Sequence, residues 1–235
     1  MKDWFDIMSV LTVISARGGS KRVPRKNVLP LAGKPMIAWT IESALKAENL
    51  DRVIVSTDDE EISEVSRQFG AEVPFLRPAE LASDSATSVE VVLHAVDWLL
   101  RNEEPLPSLI LLLQPTSPLR TADDINVSVA LQKQKNANAV VSVCEGGHSS
   151  SFFRRINSNG ELLSVSVDDP SERMFQLNGA IYLVSTAVFM KEKTFTPGNC
   201  FAYVMPQERS LDVDTPWDFH VAGLVLKDKY VTGPA

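Results

Sequence analysis

The stretch Val10-Leu11-Thr12-Val13-Ile14-Ser15-Ala16-Arg17-Gly18-Gly19-Ser20-Lys21-Arg22-Val23-Pro24-Arg25-Lys26-Asn27 decides how the chain is read. Its first five residues form an apolar run bounded by turn chemistry, the pattern of a buried β-strand. Two adjacent glycines follow, which permit positive φ and let backbone N–H groups approach a ligand closely. Arg17, Lys21, Arg22, Arg25 and Lys26 crowd around them. A cationic turn rich in N–H groups at the carboxyl end of a strand is a place for a polyphosphate. Lysine supplies charge there and arginine a planar fork for phosphate oxygens. A solvated basic loop is the plain alternative, and coupling to a strand and to glycine favours the anion site. Neither G-x-x-x-x-G-K-[ST] nor G-x-G-x-x-G occurs, so the familiar triphosphatase and dinucleotide loops are excluded.

Working outward, Ile37, Ile41 and Ala44-Leu45 recur at helical spacing across residues 35–47, after a turn-rich connector at 29–35. Residues 52–56 read as a second buried strand, and Asp58 or Asp59 is placed to cap the helix that follows. Strand, helix, strand, helix in this order predicts a Rossmann-like α/β fold with parallel strands. Ser88 is the expected cap of a helix over 89–101, and residues 108–113 form the most apolar strand. A helix over 122–134 and a strand over 139–144 come next. Beyond Glu145 the character changes. Residues 152–156 and 161–167 flank Asn157-Ser158-Asn159-Gly160, the pattern of a β-hairpin, before residues 175–184 return to the sheet. A strand over 200–205 and a terminal helix to about residue 228 complete the reading.

Three polar loops fall at strand carboxyl ends, where open α/β sheets bind ligands. They are the basic loop, the hydroxyl-dense run from Arg77 to Ser88, and the proline-stiffened turn Gln114-Pro115-Thr116-Ser117-Pro118. Gly179 inside a predicted strand marks a close approach of backbone or ligand. Asp212 and Asp214 are two apart, so in an extended segment both carboxylates point one way while Leu211 and Val213 turn inward. Two hard anionic ligands beside a polyphosphate loop suggest Mg²⁺. Helix capping by Asp214 or Thr215 ahead of Pro216 is the competing explanation. His94, His148 and His220 form no catalytic or metal spacing, and His148 alone stays open as a ligand contact. No nucleophile elbow or Cys–His arrangement is present, which leaves positioning, metal and charge neutralisation as the available chemistry.

Acidic residues outnumber basic ones, 30 to 23, which argues against nucleic acid as the main partner. No apolar run approaches membrane-spanning length, so no membrane association is expected. Cys144 and Cys200 are far apart and lack metal-ligand spacing, as expected of reduced thiols in a cytoplasmic protein. The acids within Met1–Ile7 speak against a secretory signal.

Ile14 to Lys21 with Pro24-Arg25-Lys26-Asn27, Leu76-Arg77-Pro78-Ala79-Glu80-Leu81-Ala82, Leu113-Gln114-Pro115-Thr116-Ser117-Pro118-Leu119-Arg120, Asn178-Gly179-Ala180-Ile181-Tyr182 and Asp212-Val213-Asp214-Thr215 stand in order along the chain. Together they resemble the cytidylyltransferases that activate nonulosonic acids, the N-acylneuraminate (sialic acid) type. The resemblance implies a GT-A-like nucleotidyltransferase: a three-layer α/β/α sandwich on a mixed, mostly parallel sheet. It implies one domain over residues 1–235, with 145–175 as a dimerisation insertion, and a homodimer. CTP is the implied co-substrate, Mg²⁺ the implied metal and a nonulosonic acid the acceptor.

Position by position, the resemblance makes Arg17, Lys21 and Lys26 triphosphate cations. Ala16, Gly18 and Asn27 hold the nucleotide; Arg77, the Ala86 backbone and Ser88 read cytosine and ribose. Gln114, Thr116 and Ser117 lie towards the sugar, with Asn178, Tyr182 and Arg173, while Asp212 and Asp214 hold metal. The family's lysine for the sugar carboxylate has no counterpart in Ser149-Ser150-Ser151-Phe152-Phe153-Arg154, and Arg173 alone stands in for its Arg-x-Gln element. Arg154, Arg155 or Arg173 is then expected to meet the substrate carboxylate across a dimer interface. Legionaminic, pseudaminic and other 2-keto-3-deoxy sugar acids remain open as acceptors, as does an idle nucleotide-binding module.

Overall fold

A computed structural model describes residues 9–48, 50–102, 106–145, 154–156, 161–164 and 174–228. The basic loop's strand, β1 (Val10–Ser15), lies within a sheet, parallel to β4 (Arg52–Ser56) on one side and to β5 (Leu109–Leu113) on the other. Beyond β5 comes β9 (Phe175–Ser185), antiparallel to both β5 and β6 (Ala139–Glu145). The far edge is β10 (Cys200–Val204), parallel to β6. The spatial order is β10-β6-β9-β5-β1-β4, so the sheet is mixed but mostly parallel, as expected.

Strand β5 explains why its sequence is apolar without a break. Leu109, Leu111 and Leu113 join the core on one face, and Ile110 and Leu112 join the core on the other. A strand covered on both faces has no polar position to offer. Helices α1 (Met36–Lys46), α2 (Glu60–Gln68) and α4 (Ala122–Lys135) send Ile37, Ile41, Ile62 and Ile125 into the first core. Helices α3 (Ser88–Asn102) and α5 (Thr186–Glu192) fill the second with Val92, Val96, Leu99 and Phe189. Each fully buried aliphatic side chain contributes roughly 1.5–3 kcal/mol. The short α5 falls between the strands expected over 175–184 and 200–205, a stretch with no expected element.

Helix starts are specified by side chains. Asp59, rather than Asp58, caps α2 by accepting from the Ile62 N–H at 2.9 Å. Helix α3 corrects the expectation of a Ser88 cap. The Thr87 hydroxyl accepts from the Glu90 N–H at 3.2 Å, and Glu90 accepts in return from the Thr87 N–H at 2.7 Å. The glutamate three residues after Thr87 completes a capping box, which selects Thr87 and moves Ser88 into the first turn. At α6 (Pro216–Lys227) the cap is Thr215, boxed with Asp218, so Asp214 is left for other contacts. That helix packs through Ala222 and Leu226 on Leu31 of β2 (Pro30–Leu31), which pairs with β3 (Lys34–Pro35).

The expected hairpin is represented by β7 (Arg154–Ile156) and β8 (Leu162–Ser164), an antiparallel pair separate from the main sheet. Arg173, His148 and residues 149–153 lie outside the described residues.

The segment between β10 and α6 is anchored by a buried charge. Asp124, fully buried in the α4 capping box, accepts from Arg209 Nε and Nη2 at 3.1 and 2.8 Å and from the Tyr203 hydroxyl at 2.7 Å. Burial alone would raise its pKa, but bonds from Arg209, Thr121 and Tyr203 outweigh that and hold the carboxyl below its ordinary 3.8. The stabilisation is therefore complete above that value and is lost as pH falls through the depressed one. Asp124→Ala is expected to cost about 3–5 kcal/mol in urea denaturation at pH 7, as for a buried pair with one partner removed. The gap between wild type and Asp124→Asn should close as the same titration is repeated below pH 3.8.

Candidate functional site

The carboxyl ends of β1 and β5 border a cleft of about 590 Å³, within the range of small-molecule sites. Arg17, Lys21, Lys26 and Asn27 reach it from the first loop, and Arg77, Ala86 and Ser88 from the second. Gln114 and Thr116 enter from the third, and Asp212 and Asp214 from the segment before α6. Four stretches distant in sequence therefore face one space.

The basic loop is shaped by acids from elsewhere. Its glycines do not take positive φ as expected; within the loop the left-handed residue is Arg25, at φ 58°. Arg25 bonds to both Asp59 and Glu61, which makes it a rivet between loop and α2 rather than a phosphate ligand. Gly18 is required for a different reason. A Cβ there would stand 2.7 Å from Asp59 Oδ2, and its N–H donates to Asp58 at 3.1 Å. Asn27 Nδ2 donates to the Arg17 carbonyl at 3.0 Å and fixes the turn from inside.

Four cations meet acids inside the cleft. Arg17 pairs with Asp84 at 2.8 Å, and Lys21 bonds to the same carboxylate. Arg22 pairs with Asp214 at 3.1 Å, and Lys26 lies 3.4 Å from its other oxygen. Lys21 and Lys26 hold the Asp84 carboxyl low and the acidic segment in place, respectively: Asp84 is lowered by Lys21 and then Arg17, and the Lys26 ammonium also donates to the Val213 carbonyl. Arg77 is almost wholly buried, donates to Ser15 Oγ at 3.0 Å and faces Asp58 at 3.6 Å. Burial pushes its guanidinium below the usual arginine range, partly offset by Asp58.

Asp212 and Asp214 behave as a pair. Desolvation raises the Asp212 pKa, the Thr116 hydrogen bond opposes that, and the charge of Asp214 adds to the rise. Both side chains flank the buried Val213, whose N–H donates to the Thr116 carbonyl at 2.7 Å. A dication beside them relieves their mutual repulsion. No group of three or more His, Cys, Asp or Glu suited to a metal exists among the described residues. Two carboxylates fit Mg²⁺ when phosphate and water complete its shell.

Other expected residues lie elsewhere. Ala16 is buried behind the loop, its N–H donating to Ser56 at 3.1 Å. Ser117 is buried and reaches the Asn178 carbonyl at 3.4 Å. Asn178 is 4% exposed and engaged inside the protein. Tyr182 packs in the second core with Phe195, ring centroids 5.5 Å apart. Conversely, Asp84, Ser15, Leu81 and Val91 line the cleft without having been singled out. For Asp84 a signal existed: it is the one acid in the run Ser83-Asp84-Ser85-Ala86-Thr87-Ser88, whose other residues are small.

A mixed α/β sheet with cations, paired acids and polar turns at one rim defines a nucleotidyltransferase type of site. Residues 11–196 match the family described as Cytidylyltransferase, and the chain belongs to that family. It is 35% identical to the CMP-N,N'-diacetyllegionaminic acid synthase of Legionella pneumophila, over 90% of this chain and 94% of that protein. It is 30% identical to the pseudaminic acid cytidylyltransferase of Campylobacter jejuni, over 94% of this chain and 97% of the other. With the N-acylneuraminate cytidylyltransferase of Escherichia coli it shares 34% identity over 94% of its own length and 52% of that longer protein. In fold it is similar to CMP:2-keto-3-deoxy-manno-octonic acid synthetase complexed with CTP, at TM-score 0.69 and 18% identity, covering 94% of this chain and 99% of that one. The chain is thus an enzyme of the nucleotidyltransferase class.

Because Asp84 competes with any bound polyphosphate for Arg17 and Lys21, Asp84→Asn is expected to tighten binding of inorganic tripolyphosphate about threefold to tenfold at low salt. Calorimetric titration measures this, and Arg17→Ala should change the affinity in the opposite direction.

Proposed function

We propose that this enzyme transfers CMP from CTP to the anomeric hydroxyl of a nonulosonic acid, giving a CMP-sugar and pyrophosphate. The observation that carries the reading is the meeting of Arg17 and Lys21 with Asp212 and Asp214 around one cleft. The names of the relatives, which specify legionaminic, neuraminic and pseudaminic substrates, support an acceptor of this class.

In this reading Arg17, Lys21 and Lys26 neutralise the triphosphate, and their contacts strengthen as charge gathers on the departing pyrophosphate. Arg77, Ala86 and Ser88 seat the cytidine, with the Arg77 fork held ready by Ser15 and Asp58. Gln114 and Thr116 stand between nucleotide and sugar. The anomeric hydroxyl attacks the α-phosphorus in line and gives up its proton to solvent; the new P–O bond forms as the bond to the β-phosphate breaks, and that electron pair leaves with pyrophosphate. Asp212 and Asp214 would hold Mg²⁺, which when bound supplies further charge neutralisation at the reacting phosphate.

The chain acts as one nucleotidyltransferase domain, and residues 145–175 serve as its dimerisation insertion. Met174 and Leu177, each more than a third exposed beside that region, supply apolar surface for a second copy. The paired subunits work in the cytoplasm, in keeping with two unpaired cysteines. No helix among the described residues is long and apolar enough to cross a membrane.

Pyrophosphate release on mixing the enzyme and Mg²⁺–CTP with a panel of nonulosonic acids tests the reaction and names the acceptor. Release with none of them, despite CTP binding, would sink it. Asp212→Asn is expected to lower turnover at least about a hundredfold while CTP still binds, the size of loss seen when charge stabilisation is removed. A fully active monomer in sedimentation would refute the dimer.

A further inference from the structure

The acidic pair is held in place from both sides, by groups that line the cleft and by groups buried behind it. Two carboxylates this close push each other apart, so a flexible segment would let them separate. On the far side of Asp212 the restraint is plain: Val213 bonds to Thr116, and its carbonyl accepts from Lys26. On the near side the restraint passes through Ser210. Its hydroxyl donates to the Pro206 carbonyl at 2.8 Å and accepts from Asn178 Nδ2 at 2.9 Å.

Asn178 is committed at both ends of its amide. Its Oδ1 accepts from the Ser142 hydroxyl at 2.6 Å and the Ala180 N–H at 3.2 Å, and its Nδ2 also reaches Met205 Sδ at 3.3 Å. These partners come from β6, β9, the end of β10 and the acidic segment, so one side chain ties the sheet to the approach of Asp212. The next residue, Gly179, takes φ +76° where a Cβ would meet Gln114 Oε1 at 2.6 Å. The backbone here is thus tightly specified, and Asn178 faces the interior.

We propose that Asn178 is a positioning residue: acting through Ser210, it sets where Asp212 stands, rather than contacting the sugar acid. The proposal rests on the reading of Asp212 and Asp214 as a metal-holding pair. Residues that orient a metal ligand typically change metal affinity by about ten- to a hundredfold when removed.

The test uses Mn²⁺ binding in the presence of CTP, read from the electron paramagnetic resonance signal of free Mn²⁺, together with steady-state kinetics. Ser210→Ala and Asn178→Ala should each weaken Mn²⁺ binding about tenfold. The KM for the sugar acid should stay within about twofold, and the double variant should be no worse than Asn178→Ala alone. A raised sugar-acid KM with unchanged Mn²⁺ affinity would overturn the proposal, as would additive effects of the two substitutions. If Asn178→Ala does not fold, Ser210→Ala decides the matter, because it leaves the Ser142 and Ala180 bonds intact. Asp212→Asn separates the two readings. If that variant binds Mn²⁺ like wild type, the metal reading fails and the proposal with it. If it loses Mn²⁺ while Ser210→Ala does not, only the positioning role falls.

Discussion

Five like charges in ten residues cannot share a loop without counter-charge, and the rest of the site follows from how that charge is supplied. Asp59 and Glu61 from the start of α2 take Arg25, Asp84 from the second loop takes Arg17 and Lys21, and Asp214 takes Arg22 and Lys26. These acids come from three different connections of the sheet. Neutralising the loop therefore gathers the walls of the cleft, and the pairs facing the cleft are partly exposed, which keeps each of them weak.

The loop cations are not equivalent. Arg25 sits in left-handed backbone and faces two carboxylates that raise its affinity for a proton further, so it is structural. Arg17 and Lys21 share a single exposed acid and remain the cations most available to an anion. Lys26 is buried and linked to the acidic segment, and so couples the basic loop to the acidic side of the cleft. A second buried cation, Arg120, supports the third loop: it donates to the carbonyls of Gln114 and Ala180, at 3.3 and 3.0 Å. Its burial pushes the guanidinium down to about 9, with Asp124 opposing the shift.

Misread positions share a cause: the local pattern allowed two answers and a distant partner chose. Thr87 and Ser88 are both hydroxyl caps, and Glu90 selects the first. The glycines of the basic loop suggested positive φ, but Gly18 is needed because Asp59 crowds it from another element. Thr186 to Met190, with no expected element, forms a helix whose Phe189 fills the second core. Asp84 stands out locally as an acid among small residues, but its role is set by Arg17 and Lys21, more than sixty residues earlier.

By itself the sequence determined the strands and helices whose apolar spacing is unambiguous, the placing of three polar loops at strand carboxyl ends, and the alternation that points Asp212 and Asp214 the same way. Those features depend on residues a few positions apart, within reach of periodicity and turn chemistry. Only the tertiary structure decided that β9 runs antiparallel between β5 and β6, which cation meets which acid, and that Asn178 and Ser117 face inward while Asp84 faces the cleft. The physical reason is that a charge or an amide is defined by the partners that satisfy it, and here those partners stand tens of residues away.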